Sequence, residues 1–226
     1  MEGTRLRILQ LLQRNGHDTV DGLATAIGLA PATIRRHLDI LQRDRLVAFE
    51  EVRKKTGRPE YSFYLTENGQ ETLPKDYDLL LNMVMEELAV LNTNDTSGRD
   101  GDEILSLLFS RMSDKVWERY SEDVTGKDVG YRLDALVDLL KQEDFSPEVG
   151  VEDGTIRIKL LNCPFRSVAL RNKAVCFFDL HLITSMLDTE PVLDSSIQNG
   201  EPGCVYSAHI GTGQAALLSP IAERIS

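Results

Sequence analysis

The side chains in this 226-residue chain best suited to chemistry are its three cysteines. Cys163 lies in Asn162-Cys163-Pro164-Phe165, Cys176 follows Ala174-Val175, and Cys204 follows Gly200-Glu201-Pro202-Gly203. Twelve residues separate the first pair and 27 the second, and no CxxC occurs, so the spacing is not that of a common structural zinc site. Two of the cysteines abut Pro or Gly turns and one sits in an apolar helical run, so each can project from a different element toward one point. Three thiolates with a fourth, weaker ligand would suit an iron–sulfur cluster or a soft metal. The plainer reading is three buried small hydrophobes, since free Cys is among the most buried residue types.

Composition frames this choice. An apolar fraction of 42% is ordinary for globular protein, and the length allows one large or two small domains. No N-terminal apolar signal region and no run long enough to span a bilayer occur, so a cytoplasmic protein with no membrane partner is expected. An odd number of cysteines in a reducing compartment argues against a disulfide framework. Net charge is −11 but unevenly spread: residues 1–66 carry a net +3 and the remainder −14. The basic first third is where nucleic acid would bind, and the acidic remainder keeps non-specific DNA affinity low. No Gly-rich phosphate loop, HExxH or GxSxG is present and no histidine adjoins a cysteine, so an enzyme is not expected.

The elements that would make use of these thiols begin at the N-terminus. Leu6, Ile8, Leu9, Leu11 and Leu12 fit one helical face ending at Asn15-Gly16. Asp18 or Thr19 can cap a short second helix with Val20, Leu23, Ala24 and Ile27 as its apolar stripe and Gly28 at its turn. Pro31 opens a third helix, with Ile34, Leu38 and Leu41 on one face and no capping side chain at Ala30. This is helix–turn–helix spacing. On the opposite face, Thr33, Arg35, Arg36 and His37 can reach phosphates or base edges in a major groove. Two strand patterns follow, Val47-Phe49-Val52 and Tyr61-Phe63-Leu65, flanking Arg53-Lys54-Lys55-Thr56-Gly57-Arg58-Pro59. Cations at a Gly-Pro hairpin tip have no packing role, so Lys54, Lys55 and Arg58 are expected to form a wing on DNA.

Beyond Pro74, three amphipathic helical runs carry Leu81 to Leu91, Ile104 to Trp117 and Tyr131 to Leu140, with the polar loop 92–98 after the first. They are expected to supply core and, because a winged helix reads a two-fold site, a homodimer interface. From Val149 the chain alternates through an Asp153-Gly154 hairpin to Leu160, enters a helix over about 171–187, and offers strands at 191–197 and 204–210. The expected architecture is α+β: a winged helix–turn–helix at 1–73, a helical connector at 74–144, and a cysteine-bearing α+β sensor domain at 145–226.

Three stretches, Leu29-Ala30-Pro31-Ala32-Thr33-Ile34-Arg35-Arg36-His37-Leu38, Lys55-Thr56-Gly57-Arg58-Pro59 and Leu65-Thr66-Glu67-Asn68-Gly69, resemble the winged helix–turn–helix of ArsR-like and DeoR-like bacterial regulators. The second half resembles the SufR-like (Suf-operon repressor) regulators through Asn-Cys-Pro-Phe, Val175-Cys176 entering a helix, and Gly-x-x-x-Cys-x-Tyr at 200–206. That resemblance implies a repressor binding a double-stranded operator, with a [4Fe-4S] cluster held by Cys163, Cys176 and Cys204. Described members often carry a fourth cysteine between the last two. This chain has Thr189, Glu190, Ser195 and Ser196 in that interval. Asp179, His181, Glu190, Glu201 or a small thiol could replace it. Asp179, three residues from Cys176, shares its helical face, whereas His181 points away. Two other readings stay open: thiols that bind zinc or act as a redox switch with no cluster, and a ligand-binding or enzymatic C-terminal half.

Overall fold

The computed structural model describes residues 3–52 and 60–210, and divides into two units, 1–74 and 75–226. In the first, helix α1 (Thr4–Asn15) turns Ile8, Leu9 and Leu12 inward. Strand β1 (His17–Thr19) leads to α2 (Val20–Ile27), whose first turn is capped by Thr19 Oγ1 accepting from the Gly22 amide at 3.1 Å. Gly28, at φ +77°, ends α2 in the left-handed region open to glycine, and Pro31 starts α3 (Pro31–Arg43). Ala30 caps with backbone alone, as its side chain requires. Strands β2 (Val47–Val52) and β3 (Glu60–Leu65) form the hairpin, and α4 (Glu67–Glu71) follows. Leu23, Ile34, Leu38, Leu41, Val47 and Phe63 complete a core with α1. The three strands run in the order β1-β3-β2, all antiparallel. β1 has no apolar alternation to announce it; pairing with β3 sets it, with the His17 and Tyr64 rings 5.0 Å apart.

The second unit opens with α5 (Tyr77–Val90), the single turn α6 (Thr93–Thr96), α7 (Gly101–Val124) and α8 (Val129–Gln142). The polar loop expected at 92–98 contains α6 because Asn92 and Asp95 close a capping box. Strands β4 (Pro147–Glu152) and β5 (Thr155–Leu160) form a hairpin around Asp153 and Gly154, both at positive φ as a tight primed turn needs. Next come α9 (Arg166–Ala169), α10 (Cys176–Leu187), β6 (Val192–Ser195) and β7 (Cys204–His209). The expected helix over 171–187 begins only at Cys176. The Asn172 side chain accepts from the Ala174 amide at 2.9 Å and holds residues 173–175 in a 3₁₀ turn.

The second sheet is antiparallel in the order β4-β5-β7-β6, with β6 bulged between Leu193 and Ser195. Ile156, Ile158, Leu160, Tyr206 and Ala208 are buried, while Arg157, Ser207 and His209 alternate outward. The helical stretch and the strands share one core: Val116, Leu136 and Leu140 join Phe145, Ile158, Phe178 and Tyr206 in a single cluster. Arg132 of α8 donates to the Met186 and Ser185 carbonyls at 2.7 and 3.1 Å, so a cation closes the C-terminal end of α10. The chain is α+β, and no helix of the described residues is long and apolar enough to cross a membrane.

Candidate functional site

On α3 the apolar face is buried through Ile34, Leu38 and Leu41, which turns Thr33, Arg35 and Arg36 into solvent. Among the described residues neither Arg35 nor Arg36 is held in an ion pair, so both guanidinium groups are available to phosphates or guanine edges. Arg36, Thr33 and His37 line one open groove with Arg5 and Ile40. His37 is half-buried on its flank, with Nδ1 enclosed and lacking a hydrogen-bond partner, unlike the two exposed arginines. On the other side of α3, Arg35 borders a second groove with Phe49, Tyr61 and Phe63 of the hairpin. Lys54, Lys55 and Arg58 of the expected wing lie outside the described residues. Their hairpin is present as β2 and β3 in full register from Val47 opposite Leu65 to Val52 opposite Glu60.

The three cysteines come from three elements. Cys163 sits in the turn after β5, Cys176 is the first residue of α10, and Cys204 opens β7 opposite Leu160. All are free thiols, Cys204 buried and the other two half-buried. The turn bearing Cys163 is pinned by its neighbour Asn162, which donates to the Asp144 carbonyl at 2.7 Å and accepts from Lys75 Nζ at 3.0 Å. The same turn bonds to the start of α5: the Asp76 amide donates to the Pro164 carbonyl, and the Ser167 amide donates to Tyr77 Oη at 3.1 Å. Beneath it, Phe145, Phe165 and Phe178 pack ring against ring at 6.0 to 6.5 Å.

Cys204 is placed by close backbone approach. Gly203 lies against the Leu160 carbonyl, and a methyl group there would overlap that oxygen. Gly203→Ala is therefore expected to destabilise the protein by about 1–3 kcal/mol through forced backbone displacement. A thermal melt indistinguishable from wild type would show that the strands can part at no cost.

Asp179, the fourth-ligand candidate on the Cys176 helix, lies near enough to the three thiols to act on them. It is buried on α10, and burial pushes its carboxyl up to about 7, with Tyr206 holding it down in part. Tyr206 Oη lies beside that carboxylate without closing a bond of good geometry. Burial, then the charge of Asp179, drives the Cys163 thiol well above its ordinary value and the Cys176 thiol up as well. The same two causes push Cys204 up to about 11, against the opposing pull of Arg166. The backbones of Phe165 and Ile197 act on Cys163 and Cys204, opposing the rise that burial imposes. Of the other candidates for a fourth ligand, Glu190 and Glu201 are exposed and His181 is half-buried, and none of them perturbs the thiols.

Protonated, desolvated thiols are poor nucleophiles, so this arrangement does not suit direct attack on an oxidant or substrate. It suits ligation, in which an incoming cation displaces the protons and supplies the charge that the buried donors lack. Among the described residues, no three or more His, Cys, Asp or Glu side chains converge as one metal ion requires. The thiols and Asp179 are nonetheless close enough to perturb one another. Soft sulfur offered three times with one carboxylate fits an iron–sulfur cluster in donor chemistry, since each iron takes its own ligand and the ligands stand apart. Tyr206 and Gln198, both adjoining the thiols, carry no motif of their own as site residues; Tyr206 was visible only as the end of the Cys-x-Tyr pattern.

A buried three-helix core, an exposed cationic recognition face and a β-hairpin wing define the first unit as a winged helix–turn–helix, a DNA-binding class. Residues 2–48 match the family model described as "Bacterial regulatory protein, arsR family". That match ends within β2, so it speaks for the helix–turn–helix alone. No curated protein matches the chain. Among solved structures, an apo mutant of Lactococcus lactis ZitR is 19% identical over 50% of this chain and 81% of its own, with a TM-score of 0.25. Bacillus subtilis PadR in complex with operator DNA is 16% identical over 80% of this chain and 94% of its own, with a TM-score of 0.28. At such scores neither carries an argument.

Proposed function

We propose that the chain is a dimeric transcriptional repressor whose operator binding responds to an iron–sulfur cluster held by Cys163, Cys176, Cys204 and Asp179. The observation that carries this reading is that three free cysteines from three elements share a buried neighbourhood with one carboxylate, in a chain that begins with a DNA-reading helix. The SufR-like order of motifs around the same cysteines agrees with it. When bound, the cluster supplies redox- and iron-dependent occupancy. The chain's own residues then provide the response, because the Cys163 turn is hydrogen-bonded to Lys75, Asp76 and Tyr77, the first residues after the DNA-binding unit. For the dimer, α5 offers an outward apolar stripe at helical spacing, Leu81, Met85 and Leu88, each between 46% and 59% exposed. Operators read by winged helices are two-fold, and such a stripe is the kind of surface a second copy covers.

The test is purification without oxygen. Brown protein containing iron and acid-labile sulfide, bleached by air, with colour and iron both lost in Cys163→Ser, is the expected result. Colourless protein with stoichiometric zinc would replace the cluster with a single ion. Protein that binds neither and reads the same operator in air and under nitrogen would refute a metal-based sensor.

A further inference from the structure

The segment between α10 and β7 reaches the thiols through a single turn. Residues 197–199 form a 3₁₀ turn just before β7. The Ile197 backbone acts on Cys204, opposing the rise that burial imposes on its thiol. Next along the chain, Gln198 reaches across: its Nε2 donates to the Ala169 carbonyl at 2.7 Å and to Cys176 Sγ at 3.7 Å. The orientation of this amide follows from chemistry. A backbone carbonyl only accepts, so the NH₂ end must face Ala169, and its second hydrogen is then directed at the sulfur. Gln198 thus offers a side-chain N–H to the Cys176 sulfur. The Phe165 backbone acts on the third thiol, Cys163, in the same sense as Ile197 on Cys204.

We infer that Gln198 is a positioning residue for the metal–thiolate site, holding Cys176 Sγ in ligating orientation and donating an N–H to the coordinated sulfur. This rests on the cluster reading above and goes beyond it by naming a residue that governs how tightly the cluster is kept and how readily it is oxidised. The physics is that of any outer-shell donor to a ligand. A hydrogen bond to a thiolate draws electron density from sulfur, stabilises the reduced cluster relative to the oxidised one, and fixes the ligand's torsion. Gln198 is suited to this because Ala169, at the end of α9, anchors it from the other side. It thus spans the α9 end and the start of α10, the two segments that must stay in register for Cys176 to remain near Cys163. Gln198 itself is only half-buried, so its replacement leaves the core of the unit intact.

The experiment compares wild type, Gln198→Met and Gln198→Glu after anaerobic reconstitution of the full chain with ferrous iron and sulfide. Methionine keeps length without a donor, and glutamate keeps shape while placing an acceptor against sulfur. Three readouts are taken: iron and sulfide per chain, the rate of bleaching in air, and the reduction midpoint followed by the visible absorption. Both variants are expected to melt with the wild type, to bleach about ten-fold faster, and to show a lower midpoint. The midpoint separates this role from a structural one, because a merely loosened fold would reduce loading without shifting the potential of the clusters that remain. Wild type that takes up no iron overturns the cluster reading and this assignment together. Wild type that loads, with variants matching it in midpoint and bleaching rate, overturns the role of Gln198 alone. Should Gln198→Met fail to fold, the isosteric Gln198→Glu decides by the same readouts.

Discussion

Replacing Arg35 and Arg36 together by alanine is expected to lower affinity for a selected DNA duplex by about 100-fold or more, each arginine carrying roughly 1–3 kcal/mol. Both side chains stand on the solvent side of α3, opposite Ile34, Leu38 and Leu41, so their removal takes nothing from the core. The protein should therefore melt as wild type does. Anisotropy titrations across a salt series, on a duplex that wild type selects from randomised DNA, separate two roles. Loss of a phosphate contact lowers the slope of log affinity against log salt by about 0.9 per contact. Loss of a base contact relaxes preference at one position and leaves that slope nearly unchanged. An affinity and a slope both equal to those of wild type would remove this face of α3 from the interface. His37, half-buried with an enclosed Nδ1, should contribute less than either arginine.

Asp179→Asn is expected to stabilise the metal-free protein at pH 8 while abolishing retention of iron. Burial raises this carboxyl to about 7 in the folded chain, against about 3.9 when unfolded. Between those values the folded chain keeps a proton that the unfolded chain has lost. The contribution of this carboxyl is thus full below about pH 4 and falls as pH rises to about 7, where the loss is complete. Asparagine removes the slope, because it has no proton to lose. Allowing for imperfect pairing of the new amide, a net gain of about 1–3 kcal/mol at pH 8 is expected. Urea denaturation of both proteins in chelator from pH 4 to 8 measures it; parallel profiles would show that Asp179 is solvated and unfit for the role given to it. The expected gain measures what burial of this carboxylate costs the fold.

Apolar stripes and turn residues made most of this fold legible. The 3.6-residue recurrence in α1 to α3, Thr19 as cap, Gly28 as stop and Asp153-Gly154 as hairpin all occur where local chemistry demands them. What local chemistry does not encode was missed. His17-Asp18-Thr19 is too short and polar to signal a strand, and becomes one through residues 62–64, far along the chain. The late start of α10 depends on one Asn172 side-chain bond that outweighs the helical pattern of residues 171–175. The nearness of Asp179 to the thiols could be read from its three-residue offset to Cys176. Gln198 could not, because an amide in a polar turn reads as solvated unless the carbonyl of Ala169 is known to be opposite.

The ends of the β4-β5-β7-β6 sheet bear on how copies of this protein meet. An open sheet edge is a template for another strand, and both edges here are blunted. β4 begins with Pro147, which has no amide to donate, and carries Glu148 and Glu152. β6 exposes Val192 and Leu193 but is only four residues long and kinked by its bulge, with Asp194 held to Ser207. Both described edges therefore disfavour strand-to-strand growth. A contact through the helical stripe of Leu81, Met85 and Leu88 would instead choose its partner by side-chain shape, and a two-fold contact of that kind closes at two copies.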